Sequence, residues 1–263
     1  MKLTFKLLSL GLSSLLLFSC NSDSDDTPQA EPYFEDNLSL DTWEVTEFGA
    51  DKTYETPIGW ETSNPGTSFL SFVNTTQETS DVVSGSSARM ETIAIPLTGI
   101  AAATVYTGKF QLNTSDPAQS AILGVEYTKR PKSMSFNYKY TPGDEYLQFD
   151  GAVSSPVEGA VDSCLVYMYL QKREGESIQR IGTAAMQHSD TVTEWTKEKL
   201  EVIYGEIENP VPGFRLRPEE TGWADADATP THVIITFTST SAGDYFRGAI
   251  GSVLMVDDIS IEY

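Results

Sequence analysis

The sequence predicts an all-β protein, an antiparallel β-sandwich in a single domain. Three observations point there. Short apolar or alternating runs recur along residues 33–263, helical periodicity is scarce, and turn-forming residues separate the runs. The clearest turns are Asn64-Pro65-Gly66, Pro142-Gly143-Asp144 and Pro212-Gly213. Glycine and proline there supply the backbone angles that a reversal needs. No repeat with a period of about 20–50 residues is visible, which argues against a solenoid or propeller.

The strands follow in chain order. Residues 104–112 form the first clear run. In 133–140, SMSFNYKY, the side chains of Met134, Phe136, Tyr138 and Tyr140 share one face, while Ser135, Asn137 and Lys139 share the other. This is a strand half buried in a sheet. Residues 165–170 are apolar on both faces, which suits a central strand of the sandwich. Residues 200–204 and 233–238 behave like 133–140, and 253–263 close the set. Residues 208–231 differ. They are polar, hold four prolines and carry Arg215, Arg217 and Trp223. A loop of this length is a rim over a binding surface or a cover for a sheet edge, and both readings stay open.

The chain carries 17 basic and 38 acidic residues, a formal charge of −21. Nucleic acid is excluded as a partner, because phosphate binding needs lysine and arginine to release counterions. An anionic membrane surface is excluded on the same ground. Neutral glycans or cations remain, and high negative charge is also a solubility device. About 230 residues are enough to bury a full core.

The first residues read as a secretory signal over 1–19. Lys2 and Lys6 precede an apolar stretch at 7–18, closed by Leu17-Phe18-Ser19-Cys20. The stretch is too short to span a bilayer. The cysteine at the cut resembles the lipobox of bacterial lipoproteins, which implies that Cys20 is lipidated and becomes the first mature residue. Loss of Lys2 and Lys6 would take the charge from −21 to −23. Residues 20–32 then form a tether. NSDSDDTPQAEP has no large apolar residue and cannot offset its ordering entropy. This acidic run resembles the surface-export signal of Bacteroidetes lipoproteins, which implies an outer-membrane address facing the medium; the alternative is a plain linker. With Cys20 so used, Cys164 has no disulfide partner, and its apolar surroundings make it a buried small hydrophobe.

The chemistry-bearing motifs are few. The 38 acids form no recognisable catalytic pair, and HExxH, G-x-S-x-G and P-loop patterns are absent. His188 and His232 are too far apart in sequence to suggest zinc. Glu35 near the start and Asp257 and Asp258 near the end would meet if the first and last strands pair. Such carboxylates suit a structural calcium ion. The alternative is that Asp257 and Asp258 break a strand at a bulge and face solvent. Aromatic rings offer faces for sugar C–H groups. Trp60, Trp195, Trp223, Tyr146 and Tyr245 lie in or beside loops, and Arg130 lies upstream of Tyr138 and Tyr140. Trp223 stands out, because its polar neighbours offer little core to enter.

Several segments together carry a resemblance. They are Pro57-Ile58-Gly59-Trp60 with Ser63-Asn64, SGSSARMET at 84–92, YTGKF at 106–110, Arg130-Pro131-Lys132 with FNYKY at 136–140, and SAGDYFRGAIGS at 241–252 running into Val256-Asp257-Asp258. In this order they resemble the putative carbohydrate metabolism domain lipoproteins of Bacteroidetes. The resemblance implies a jelly-roll-like sandwich similar to carbohydrate-binding modules, in a glycan-utilisation context. The FE…DD pattern also resembles the calcium-bearing ends of carbohydrate-binding modules, which maps onto Glu35 and Asp258. Asp190-Thr191-Val192 resembles an O-glycosylation acceptor.

Three functions stay in view. The first is a surface lipoprotein that binds an extracellular glycan without cleaving it, through Trp223, Tyr138, Tyr140 and Arg130, with Trp60 next. The second is a glycoside hydrolase or lyase whose carboxylates go unrecognised. The third is a structural or adhesive protein docked beside an outer-membrane partner.

Overall fold

In the computed structural model the half-buried strand read at 133–140 spans Ser133–Thr141. Met134, Phe136, Tyr138 and Tyr140 all turn into the core, as the alternation predicts. The described residues are 33–263 apart from 49–51, 97, 114, 117 and 118. The secretory signal, Cys20 and the tether therefore lie outside them. Pro32–Tyr263 forms one compact unit.

Two sheets carry the fold. One runs Val192–Glu201, Ser133–Thr141, Val253–Glu262, Ser87–Glu91, Thr75–Glu78, antiparallel throughout. The other runs Ile203–Tyr204, Ser177–His188, Cys164–Glu174, His232–Thr238, Thr104–Tyr106, Glu61–Thr62. Val125–Glu126 and Gly222–Trp223 pair at its sides. The chain crosses from sheet to sheet between most successive strands, the connectivity of a jelly roll. Val166, Met168, Val233, Ile235 and Phe237 of the second sheet face Met90, Met134, Phe136, Leu254 and Val256 of the first. The rings of Phe136 and Phe237 meet edge to face, 5.4 Å between centroids.

Two predicted runs are divided. Residues 200–204 do not make one strand: Leu200 stays in the first sheet, and Ile203–Tyr204 joins the second after Val202. Residues 104–112 split into Thr104–Tyr106 and Gly108–Phe110, which pairs with Ala121–Leu123 instead of the main sheet. Gly108 permits this. A Cβ there would lie 2.2 Å from the Ile122 carbonyl oxygen.

Cys164 is fully buried, as its surroundings predict, and burial pushes its thiol up to about 12. It should not react with iodoacetamide in the native protein and should react once urea unfolds the chain. Equal rates in both states would show that this central strand opens.

Candidate functional site

The candidate face follows from alternation in Cys164–Glu174. With Val166, Met168 and Leu170 in the core, Leu165, Tyr167, Tyr169 and Gln171 project from the other face of the sheet. Thr236 and Ile234 stand beside them on His232–Thr238. The apolar character of 165–170 on both faces was the sequence signal for this second surface. Tyr167 and Tyr169 stack with ring centroids 4.1 Å apart and an interplanar angle of 18°.

A β-bulge builds the next layer. Opposite Leu170 and Gln171, the strand Ser177–His188 inserts one extra residue. Ile181 stays in the core, and Arg180 is shifted to the outer face. Its guanidinium lies 3.4 Å from the centroid of the Tyr169 ring. It pairs with Glu220, both side chains being wholly buried. The Glu220 carboxylate accepts from Arg180 Nε at 2.6 Å, Gln171 Nε2 at 2.6 Å and the Arg217 amide at 2.7 Å. This pair fastens the polar 208–231 stretch to the sheet. Of the two readings left open for that stretch, the structure shows the cover of a sheet edge and a wall over the outer face of the sheet. Gly222–Trp223 extends the sheet beside Ser177–His188, while Gly213 and residues 216–219 wall the outer face. Gly213 sits close because it has no side chain. Its φ is +85°, and a Cβ there would meet the Leu165 side chain at 3.1 Å. Its carbonyl accepts the Tyr169 hydroxyl.

The result is a groove of about 840 Å³. Tyr167, Tyr169 and Thr236 form its floor, and Ile122, Arg217 and Tyr245 contribute to its walls. This volume falls in the range of small-ligand clefts, about 300–1,000 Å³. Arg217 donates to the Tyr167 hydroxyl at 3.2 Å and to Glu219 at 2.6 Å, and lies 3.8 Å from Asp244. Burial works against the Arg217 charge, yet Tyr167, Asp244 and Glu219 raise its pKa above the ordinary value. Tyr245 stands at the rim, 64% exposed. Asp162 supports one end of the groove. This buried carboxylate accepts from Thr240 Oγ1 and Ser252 Oγ, each at 2.6 Å, and from the Ala249 amide at 2.7 Å.

Several expected ligand contacts are corrected. Tyr138, Tyr140 and Trp60 point into the core between the two sheets and do not line the groove. Trp60 donates its indole N–H to the Asn37 carbonyl at 3.1 Å. Arg130 is a structural clasp. It donates to the carbonyls of Ala226 and Ala228 and lies 4.2 Å over the Tyr204 ring. Trp223 is half-buried beside Arg180 and does not line the groove. Trp195, on the other sheet, donates to Asp81 in the loop before Ser87–Glu91. Of the loop aromatics singled out, only Tyr245 lines this groove. Arg217 was noted only as part of the polar loop, and Tyr167 and Tyr169 were missed as site residues.

The three carboxylates expected to hold calcium, Glu35, Asp257 and Asp258, are not brought together as one group. Among the described residues no three His, Cys, Asp or Glu side chains converge to hold a metal. Glu35 accepts from Lys129 at 2.7 Å and from the Tyr263 hydroxyl. Asp257 accepts from the amides of Val83 at 2.6 Å and Ser84 at 3.2 Å, and Asp258 from Ser84 Oγ at 3.1 Å. The bulge alternative holds for position: the register shifts here, and Asp258 has φ +47°. It fails for exposure, since Asp257 is fully buried.

Burial, aided by the Asp258 charge, outweighs the Val83 and Ser84 amides and raises the Asp257 pKa. An unfolded aspartate titrates near ~3.9. The stability this shift confers is fully present below that value and is lost as pH rises through the higher folded value. Asp257→Asn lacks the titration. The stability of the parent minus that of the variant should therefore fall as pH rises from below the unfolded value through the raised folded value. A flat difference in urea unfolding would contradict this.

The model of a family described as "Putative carbohydrate metabolism domain" matches residues 33–262. The chain belongs to this family. Two solved structures share its fold. A putative glycoside hydrolase from Bacteroides thetaiotaomicron VPI-5482 is 21% identical with a TM-score of 0.66, covering 90% of this chain and 72% of that one. One from Bacteroides vulgatus ATCC 8482 is 19% identical with a TM-score of 0.60, covering 85% and 96%. No curated protein matches the chain. The β-sandwich and the carbohydrate-related family are thus established.

Proposed function

We propose that this protein binds extracellular carbohydrate in the groove over Tyr167 and Tyr169, without cleaving it. The observation that carries the reading is the groove itself: the exposed ring of Tyr245 at its rim, and the polar side chains of Asp116, Arg217, Glu219 and Asp244 in its wall. A sugar presents an apolar C–H face and a set of hydroxyls, and this surface meets both needs. The family description and the acidic charge agree with a glycan partner. The anchor is a lipid on Cys20, and residues 21–32 tether the domain on the outer membrane, facing the medium.

Tyr245→Ala should weaken glycan binding by about 1–3 kcal/mol, on the scale of anchor truncations at interfaces. Its exposure predicts an unchanged unfolding curve. Titration calorimetry with a polysaccharide that retards the protein in affinity gels checks both points, and unchanged affinity would remove Tyr245 from the site.

One observation favours hydrolysis as a second reading. Asp116, Glu219 and Asp244 all line the same groove, and glycosidases work through paired carboxylates. Release of reducing sugar by the purified protein would establish it and displace non-catalytic binding.

A further inference from the structure

We infer that the groove selects uncharged glycan chains and rejects polyanionic ones, an inference that rests on the proposed carbohydrate function and narrows its ligand class. Among the described residues, the groove wall holds two cations, Arg173 and Arg217. Both are already engaged. Arg217 is held by Glu219 and faces Asp244. Arg173 donates from Nε to the Gln171 side chain at 2.9 Å, and from Nη2 to that side chain at 2.6 Å and to the Leu123 carbonyl at 2.9 Å. The third arginine beneath the floor, Arg180, is spent on buried Glu220.

The charges that reach the mouth are negative. The Glu219 and Asp244 side chains are 43% and 68% exposed, against 22% for Arg217. Asp116 is also exposed in the wall. A uronate or sulfate entering here meets three carboxylates against two arginines, of which Arg217 is held by Glu219 and Asp244 and Arg173 already donates from Nε and Nη2 to Gln171 and Leu123. Taking a charge out of water without a partner is costly, and the field of a chain at −21 adds long-range repulsion. Neutral hydroxyls escape both penalties. They can accept from guanidinium N–H groups and donate to carboxylates that are already in place.

The test is affinity electrophoresis of the full chain in a detergent without a sugar headgroup. One set of gels contains soluble β-glucan, galactomannan or arabinan, and the other polygalacturonate, alginate or chondroitin sulfate. The expected result is retardation in at least one neutral gel, the same at low and high salt, and none in the anionic gels. Retardation in an anionic gel overturns the selectivity while leaving carbohydrate binding in place. No retardation in any gel overturns both. A second arm uses Glu219→Gln combined with Asp244→Asn, which frees Arg217 from its carboxylates. This variant should gain retardation in polygalacturonate. If it gains none while the parent binds a neutral glycan, the carboxylates are not the selectors and the inference fails.

Discussion

Glu220→Ala is expected to destabilise the fold by about 3–5 kcal/mol, the scale for removing one partner of a buried ion pair. The Arg180 guanidinium would keep its charge with no carboxylate to receive it, in a place where neither side chain is exposed. Gln171 and the Arg217 amide would lose their acceptor as well. The wall of the groove hangs on this point, so the loss should reach residues 213–219 before the sandwich core. Urea unfolding of parent and variant reads the energy. The double replacement Arg180→Met with Glu220→Leu should cost less than Glu220→Ala, because the stranded charge is removed with its partner. A loss under about 1 kcal/mol in Glu220→Ala, within the range of exposed ion pairs, would show that the pair does not hold the wall.

Asp162→Ala is expected to cost about 3 kcal/mol or more, since hydrogen bonds to a charged group contribute about 1.5–3 kcal/mol each and their loss strands buried donors. The hydroxyls of Thr240 and Ser252 can turn toward other acceptors. The Ala249 amide cannot turn, being fixed in the backbone. Asp162→Asn keeps one acceptor oxygen and should lose less than the alanine variant. Equal losses for the two would mean that packing, not hydrogen bonding, is what Asp162 supplies.

The fold was readable because burial in a strand has a period of two. Residues 133–140 announced an inward row, and that row is inward. The same row was also offered as a ligand surface, which alternation cannot support. A strand in a sandwich turns its apolar face to the opposing sheet, and Tyr138 and Tyr140 lie on that face. Residues 165–170 announced cover on both sides without saying what lay over the second. Arg217 and Tyr245 come from distant segments, and only the folded sheet brings them to Tyr167 and Tyr169. The Ser177–His188 bulge is one inserted residue with no composition signal of its own, so Arg180 could not be assigned to the outer face. The Asp257-Asp258 bulge was readable from two acids in an apolar run. That Asp257 would be buried against the Val83 and Ser84 amides was not, because those partners lie far away in the chain.

Hydrogen exchange of the full chain, with and without a polysaccharide that retards it in affinity gels, tests glycan binding in the groove most directly. The account predicts slowed exchange at backbone amides in 119–123, 213–219 and 240–245, the segments that wall the groove. Protection confined to the outer face of the other sheet, around Lys139 and Trp195, would place the glycan elsewhere and contradict it.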